Sequence, residues 1–294
     1  MEGVGVMSEE RVITTTSAKG IDENSFPYKL FQKAKKFGIW NPSDIDFTQD
    51  TKDWKSMKLE KRRDILRLIS QFQAGEEAVT LDLLPLIMAI AKEGRLEEEM
   101  FLTTFLYEEA KHTEFFRLVL NALGETGDLS HFHTGAYKEV FYEVLPKAMD
   151  RLIEDQSPRA QAEAATVYNM FVEGVLAETG YFSFYNALEA EGIMPGLLKG
   201  IGYLKKDESR HIAYGTFLLQ RLIKEDPELY DVVTGKMEEL SAYAFRINQE
   251  GAEVSENPDS NPELTLNFMM QQLSVRMQIL ARAKDQEMDE ILEV

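Results

Sequence analysis

Four long segments of this sequence each carry a glutamate in the middle of an otherwise apolar helical stripe. Apolar residues recur with a period close to 3.6 from Leu59 onward, which is typical of amphipathic helices that turn one face toward a core. A lone carboxylate on such a face is costly to bury, and it normally becomes protonated or finds a partner. Four such carboxylates indicate one shared cause. They are Glu76, Glu109, Glu173 and Glu208.

Two of the four glutamates are followed by a histidine on the same helix. Glu109 and His112 are three residues apart, as are Glu208 and His211, so each pair lies on one helix face. Each of these helices is preceded, at a similar interval, by a helix that carries one of the other two glutamates. The pattern is therefore a near-repeat of two helix pairs. Short turns would pack the helices of each pair antiparallel, with their glutamates at one level.

Four carboxylates and two imidazoles are the ligand set that is typical of two-metal sites in carboxylate-rich helical bundles. Their four negative charges balance two divalent cations. Oxygen-rich sites with imidazole and no thiolate suit iron or manganese, and the chain has no cysteine. Coordination positions that the protein leaves open indicate dioxygen activation rather than a structural site. We interpret Asp207, which directly precedes Glu208, as a hydrogen-bond acceptor for a ligand histidine.

The two remaining histidines of the chain are predicted to be surface residues. His131 and His133 lie in a turn bounded by glycines. Asp128 precedes His131 by three residues, but this pair lies outside any long apolar stripe, so we interpret its spacing as coincidental.

Most of the sequence is predicted to be helical, and the fold class is all-α. Residues 1–294 are predicted to form a single domain with three parts. These are an irregular arm with a short helix (1–57), the metal-binding helices (58–224) and C-terminal helices (225–294). The long helices are predicted at 59–93, 96–123, 135–155, 159–191, 195–224, 227–255 and 262–291.

The charge balance argues against a nucleic-acid partner. The formal net charge is −19, from 32 basic and 51 acidic residues, so most of the surface would repel a phosphate backbone. The sequence has no apolar run long enough to be a transmembrane segment, and its first residues lack the features of a signal peptide. A cytoplasmic location is therefore expected.

From about Trp40 to Leu222 the chain resembles the ribonucleotide reductase small-subunit superfamily, and within it the ligand-binding oxidases related to that subunit. The residues that carry the resemblance are Trp40-Asn41-Pro42, Gly75-Glu76-Glu77-Ala78-Val79, Glu108-Glu109-Ala110-Lys111-His112, Tyr168 with Glu173, and Asp207-Glu208-Ser209-Arg210-His211. The resemblance implies a ferritin-like bundle whose four-helix core carries two metals, with additional flanking helices.

In these oxidases one site holds manganese and the other holds iron, and a di-iron pair is an alternative. By resemblance, manganese would be bound by Glu76, Glu109 and His112. Iron would be bound by Glu173, Glu208 and His211. We predict that Glu109 and Glu208 bridge the two ions.

The family resemblance also implies a tyrosine–valine ether cross-link between Tyr168 and Val79, and a bound long-chain fatty acid as the candidate for two-electron oxidation. It further implies a homodimer and allows an electron-donor partner. Val79 is three residues after Glu76, so it faces the same pocket. Tyr168 is five residues before Glu173, and a regular helix would turn it away. A π-bulge would bring both to the pocket.

Three alternatives share the ligand set. Reductase small subunits usually carry a radical tyrosine where this chain has Phe116, but some that use manganese and iron lack it, so this position does not decide against a manganese/iron reductase small subunit. That alternative is disfavoured because the last tyrosine, Tyr243, lies far from the C-terminus. A ferritin-like iron store would form a cage from a chain near a bare four-helix bundle, whereas this chain has additional helices. A fatty-acid desaturase or hydroxylase would need an electron-donor partner, which the acidic surface neither requires nor forbids.

Overall fold

The computed structural model describes residues 12–284, which form eleven α-helices and contain no strand. The helices are α1 (Phe26–Phe37), α2 (Thr48–Ser56), α3 (Leu59–Lys92), α4 (Leu96–Leu123), α5 (Gly135–Glu139), α6 (Leu145–Glu154), α7 (Pro158–Ala165), α8 (Glu178–Leu188), α9 (Pro195–Glu225), α10 (Leu229–Val254) and α11 (Pro262–Ala283). Two π-helical segments each join two of these α-helices into one longer continuous helical rod. Val140–Val144 joins α5 to α6, and Thr166–Ala177 joins α7 to α8.

The core of the fold is a four-helix bundle made of α3, α4, the α7–α8 rod and α9. The helices α3 and α4 pack along each other as a hairpin, and α9 packs against both α4 and the π segment Thr166–Ala177. The turn between α3 and α4 contains Gly94 at φ +71°, a left-handed conformation that favours glycine. This tight turn sets the register of the two helices, and therefore the relative heights of Glu76 and Glu109.

The apolar interior is divided into two clusters that meet at the level of the glutamates. Along α4, Phe105 belongs to one cluster, and Phe115 and Phe116 belong to the other. Glu109 and His112 lie between them in sequence, and both are almost completely buried. The acidic residues are therefore placed between two hydrophobic cores, far from bulk water.

The N-terminal arm is more ordered than predicted, because it contains two α-helices instead of one. Ser25 accepts a hydrogen bond from the Tyr28 backbone N–H and so caps α1, and Pro27 is well suited to the first turn. The helix α1 packs against α4 and α9. In α2, Asp50 is buried and accepts hydrogen bonds from the backbone N–H groups of Gly196 and Leu197, which caps the start of α9.

The predicted long helices agree with the observed ones to within a few residues. The predicted helix 135–155 corresponds to α5, a π segment and α6, and the predicted helix 159–191 to the α7–α8 rod. The last predicted helix was placed at 262–291, and its residues from 285 onward lie outside the described part of the chain. Within residues 12–284, no helix is long and apolar enough to cross a membrane.

Candidate metal centre

Six side chains from four helical rods meet at one buried point of the bundle. They form two overlapping groups, in each of which one ligand atom per residue lies within 4.8 Å of all the others. The first group consists of Glu76, Glu109, His112 and Glu208. The second group consists of Glu109, Glu173, Glu208 and His211. None of the six residues is more than 6% exposed.

The two histidines face the same pair of glutamates from opposite sides. His112 Nδ1 lies 3.5 Å from Glu109 Oε2 and 3.4 Å from Glu208 Oε1. His211 Nδ1 lies 3.1 Å from Glu109 Oε1 and 3.4 Å from Glu208 Oε2. Each of these glutamates therefore presents one oxygen to each histidine. This is the arrangement that a bridging carboxylate requires.

The other two glutamates each belong to one side of the centre. Glu76 Oε2 lies 3.6 Å from His112 Nδ1, and Glu173 Oε1 lies 3.6 Å from His211 Nδ1. The opposite oxygen of Glu173 accepts a 2.8 Å hydrogen bond from Asn169 Nδ2. One terminal carboxylate and one imidazole are thus available to each half of the site.

Several buried polar atoms at this point have no hydrogen-bond partner. They are both carboxylate oxygens of Glu109, Glu173 Oε1, Glu208 Oε2, and the Nδ1 atoms of His112 and His211. Buried polar atoms in proteins are nearly always satisfied, so a group of unsatisfied ones at one point requires an explanation. Carboxylate oxygens and imidazole nitrogens are suitable donors to iron or manganese. The residues present therefore fit a pair of such cations.

The protonation of the cluster shows how strongly its charges interact. Burial raises the pKa of Glu76 to about 8. Burial would also raise the pKa of Glu109, but the close approach of the His112 and His211 imidazoles outweighs it and holds that pKa at about 2. Burial would lower the pKa of each imidazole, but the surrounding carboxylates, foremost Asp207 at His112 and Glu108 at His211, outweigh it and raise both pKa values. Without a cation, protons thus partly neutralise the site, and a bound metal would displace them.

A second pair of carboxylates holds the two histidines from behind. Asp207 Oδ2 lies 3.3 Å from His112 Nε2 and accepts a 2.7 Å hydrogen bond from Trp40 Nε1. Glu108 Oε2 lies 2.9 Å from His211 Nε2. The Arg210 guanidinium donates to both carboxylates. Each histidine is therefore fixed with Nδ1 toward the centre, which is how carboxylate partners orient ligand imidazoles.

Sequence reasoning missed Glu108, although a signal for it was present. Glu108 directly precedes Glu109, just as Asp207 directly precedes Glu208. The near-repeat of the two helix pairs therefore predicts that, if one of these acidic residues contacts a histidine, the other does so as well. The structure places each of them against the histidine of the opposite helix.

Tyr168 and Val79 are in contact at the edge of the centre. The Tyr168 hydroxyl is completely buried and donates a 3.1 Å hydrogen bond to the backbone carbonyl of Val79. Tyr168 and Glu173 both lie in the π segment Thr166–Ala177, whose wider turns bring residues five apart closer to one face. Within this segment the Tyr168 hydroxyl reaches the Val79 carbonyl while Glu173 reaches the other carboxylates.

A cavity of about 340 Å³ begins at the carboxylates and leads toward the surface. Its inner end is lined by Glu76, Val79 and Glu173. Its walls are mainly apolar and include Phe72, Tyr137, Phe141, Val172, Leu176 and Met269. Its outer end is lined by polar residues, among them Lys61 and Asn257. The site is therefore open to a long, mostly apolar molecule.

The prediction that both remaining histidines are surface residues was wrong for one of them. His131 is exposed, but His133 is only 7% exposed. Its Nε2 lies 3.1 Å from Ser70 Oγ, and its Nδ1 lies 3.0 Å from the Tyr142 hydroxyl. Both ring nitrogens thus have protein partners, which offset the free-energy cost of removing this imidazole from water.

Comparisons with known proteins agree with the fold and the site. The family model described as ribonucleotide reductase, small chain, matches residues 28–268. An R2-like ligand-binding oxidase with an aerobically reconstituted Mn/Fe cofactor is 42% identical, with a TM-score of 0.88 over 92% of this chain and 97% of that chain. A variant of such an oxidase with an anaerobically reconstituted Mn/Fe cofactor is 44% identical, with a TM-score of 0.88 over 92% of this chain and 98% of that chain.

A further variant with an aerobically reconstituted Mn/Fe cofactor is 43% identical, with a TM-score of 0.87 over 90% of this chain and 97% of that chain. The predicted all-α, ferritin-like fold and the predicted family are confirmed. This chain therefore belongs to the ribonucleotide reductase small-chain family, in which it is a metal-dependent oxidoreductase similar to the R2-like ligand-binding oxidases.

Proposed function

We propose that this protein is a manganese/iron oxidase that activates dioxygen at the buried carboxylate site. The observation that carries the proposal is the overlap of the two ligand groups, which share Glu109 and Glu208 and hold two histidines on opposite sides. By similarity to the oxidases that carry a Mn/Fe cofactor, Glu76 and His112 would complete the manganese site. Glu173 and His211 would complete the iron site.

A manganese and an iron ion held there would supply two electrons to dioxygen, through one-electron oxidation of each ion. The protein residues have three tasks around this chemistry. Asp207 and Glu108 keep the imidazoles oriented. The negative charges of Glu109 and Glu208 would stabilise the additional positive charge that the ions acquire on oxidation. The two apolar clusters exclude bulk water, which strengthens every charge interaction inside the site.

The same reaction would join Tyr168 to Val79 through an ether bond. The new bond connects the phenolic oxygen to the valine β-carbon, and it replaces one O–H and one C–H bond. Two protons and two electrons therefore leave the two side chains. Together with two electrons from the metals and two further protons from solvent, they would complete the four-electron reduction of dioxygen to two water molecules. The hydrogen bond between Tyr168 and residue 79 supports this step, because it brings the two residues together.

The ligand of the cavity is proposed to be a long-chain fatty acid. Its carboxylate would bind at the inner end, where the two metals offer open coordination positions, and its chain would follow the apolar walls. The cavity of about 340 Å³ and its polar outer end support a single extended chain. Ions held by the six ligands would then supply their oxidising chemistry next to the first carbons of the ligand, which favours its two-electron oxidation.

The protein is further proposed to act as a homodimer. Three exposed apolar side chains support this, because they follow each other along one face of α3 at helical spacing. These are Leu81, Leu84 and Met88, which are 66%, 44% and 56% exposed. An identical patch on a second copy would cover them. Electrons for repeated turnover would come from a separate donor.

Metal content and peptide mass spectrometry together test the proposed function. The protein, loaded aerobically with manganese and iron, should bind two ions and yield a joined peptide that contains Val79 and Tyr168 and is lighter by two hydrogens. The variant His211→Ala should lose one ion and all oxygen consumption. Unchanged metal content in this variant would refute the ligand assignment.

The competing functions give different results in the same preparation. Two unlinked peptides after full metal loading, with support of ribonucleotide reduction by a large subunit, would favour the reductase subunit. A cage-sized particle in size-exclusion chromatography would favour iron storage.

A further inference from the structure

Arg276 of α11 contacts the π segment that carries Glu173. The Arg276 Nε donates a 3.2 Å hydrogen bond to the backbone carbonyl of Gly174, and its Nη2 donates to Gln272 Oε1 at 3.4 Å. Most of the side chain is out of solvent, and burial lowers the pKa of its guanidinium, with Glu178 and Glu173 acting in the opposite direction. A partly buried cation is therefore held at the segment that carries one proposed metal ligand.

Gly174 directly follows Glu173 and is shaped to accept this contact. A β-carbon added at residue 174 would lie 3.0 Å from both Cδ and Nε of Arg276. The same β-carbon would lie 3.1 Å from the backbone oxygen of Asn169, so a larger residue at this position would have to push the Arg276 side chain away. The Gly174 carbonyl belongs to the peptide unit that directly follows the one joining Glu173 to Gly174, so fixing it restricts the backbone next to the residue from which the Glu173 side chain projects.

Glu173 is the one proposed metal ligand whose backbone is π-helical. It lies in the π segment Thr166–Ala177, and π-helical turns are rare and poorly stabilised by their own hydrogen bonds. Its side chain has one hydrogen bond, from Asn169, which belongs to the same segment. The histidines, in contrast, are held by Asp207 and Glu108 from other helices. Arg276 thus supplies a hydrogen bond to the segment from a different helix.

We propose that Arg276 is a positioning residue for Glu173, which holds the π segment through Gly174 so that the Glu173–Glu208–His211 half of the centre binds its metal. This inference rests on the proposed function, since it assigns a metal to that half. Arg276 does not act as an electrostatic partner of the metal. A positive charge near a cation site weakens cation binding, so loss of the charge alone would strengthen it.

Because positioning predicts weaker metal binding on loss of Arg276, whereas loss of its charge alone predicts stronger binding, Mn²⁺ binding by itself can test the proposal. In a His112→Ala background only the Glu173 half retains its histidine, and in a His211→Ala background only the Glu76 half does. Adding Arg276→Met should weaken Mn²⁺ binding about 10- to 100-fold in the first background, the range seen when an outer partner of a metal ligand is lost. It should leave binding in the second background unchanged. Equilibrium dialysis measures both.

A matched control separates positioning from general loss of packing. Leu280→Ala removes a completely buried side chain one turn further along the same helix and leaves the Arg276 side chain in place. It should destabilise the fold while leaving Mn²⁺ affinity in both backgrounds unchanged, provided that circular dichroism shows folded protein. If Leu280→Ala weakens Mn²⁺ binding as much as Arg276→Met, or if Arg276→Met affects both halves equally, the proposal is wrong.

The variant Gly174→Ala tests the same contact from the other side. Its added methyl group displaces the guanidinium but keeps the charge. Glycine to alanine also favours helix by about 1 kcal/mol, so loss of helix propensity cannot explain weaker binding. If the two residues act through one contact, Gly174→Ala with Arg276→Met should be no worse than the more severe single variant. Fully additive losses would overturn the proposal.

The outcome for the wild-type chain keeps this proposal distinct from the proposed function. A wild-type protein that binds no Mn²⁺ would refute the proposed function itself. A wild-type protein that binds Mn²⁺ in both halves, with no effect of Arg276→Met in either background, would refute only the role of Arg276.

Discussion

The hydroxyl of Tyr168 donates a hydrogen bond of 3.1 Å to the backbone carbonyl of Val79, although the two residues belong to different helical rods. Val79 lines the cavity that begins at the carboxylates, and Tyr168 is completely buried beside it. The phenol therefore has no access to water, and burial raises its pKa well above the usual value. In the metal-free protein it is a neutral phenol beside the residue to which we propose it becomes linked.

The first prediction concerns this pair. Tyr168→Phe should abolish the joined peptide after aerobic loading with manganese and iron, because it removes the oxygen that forms the bond. Metal content should remain, and the lost hydrogen bond should cost about 1 kcal/mol of the free energy of unfolding. Tyr214→Phe is the control, since Tyr214 is equally buried but donates to Glu98. A joined peptide in Tyr168→Phe would show that another residue is linked.

The second prediction concerns the carboxylates behind the histidines. Asp207→Asn should weaken metal binding by the His112 half, and Glu108→Gln should weaken binding by the His211 half, each about 10- to 100-fold. In both cases a neutral amide replaces the charge that orients the imidazole. Metal titrations of each variant measure the two affinities. Glu77→Gln is the control, because Glu77 is exposed. Equal affinities in all three variants would exclude this role.

The sequence predicted the centre of the site better than its surroundings, for a physical reason. A carboxylate on an apolar stripe violates the burial rule, so Glu76, Glu109, Glu173 and Glu208 are visible without coordinates. Glu108 is next to Glu109 and lies outside that stripe, so its burial depends on how α9 packs against α4. His133 is buried only because Ser70 and Tyr142 come from other parts of the chain to meet it.

The helical pattern also has limits where the backbone leaves α geometry. A periodicity of 3.6 cannot place Tyr168 and Glu173 in one pocket, and only the π segment Thr166–Ala177 does so. The arm 1–57 was underestimated for a related reason. The signal for α1 is local, in Ser25 and Pro27, but its stability comes from packing against α4 and α9, which no local pattern reports.

The third prediction is a pH dependence of stability that arises away from the metal centre. Asp82 is 5% exposed, and burial, with a smaller contribution from Asp150, raises its pKa from 3.8 to about 6. The folded state thus binds this proton more tightly than the unfolded chain. The free energy of unfolding is therefore highest, as far as Asp82 is concerned, below about pH 4, where the carboxyl is protonated in both states. It falls as the pH rises through about 6, where the buried carboxyl loses its proton.

Replacing Asp82 by an uncharged residue should remove this pH-dependent loss of stability. Asp82→Asn should increase the free energy of unfolding by about 1–2 kcal/mol at pH 8 and have little effect at pH 4.5. Urea unfolding of the metal-free protein at the two pH values measures the difference. Asp150→Asn should give a smaller gain, since Asp150 is only the secondary cause. The same gain from Asp82→Asn at both pH values would contradict a titration effect.

The fourth prediction tests the proposed dimer. Leu84→Glu places a charge in the middle of the exposed apolar stripe of α3, and burying it against an identical stripe would be costly. The dissociation constant of the dimer should increase at least about tenfold. Sedimentation velocity over a concentration series measures this. Phe245→Glu changes an exposed apolar residue of α10 and should leave the dimer intact. Dimers of unchanged stability in Leu84→Glu would place the interface elsewhere.

The fifth prediction uses two glycines of α10 to test the ligand cavity. Gly251 lines the cavity, and a β-carbon built on it meets no atom within 4 Å, so a leucine there would extend into free space. Gly251→Leu should narrow the cavity and reduce the long-chain fatty acid recovered from the purified protein several-fold, while metal content stays the same. Extraction followed by mass spectrometry measures the fatty acid per protein chain.

Gly235 provides the matched control, because it lies on the same helix with equally free space around it but is exposed. Gly251→Leu and the control Gly235→Leu each remove a helical glycine, so each should stabilise α10 by up to about 1 kcal/mol. A difference between them in fatty-acid content therefore cannot come from helix stability. It must come from the one property that separates them, which is the space that the residue 251 side chain occupies. Equal fatty-acid content in the two variants would mean that the ligand lies outside this cavity.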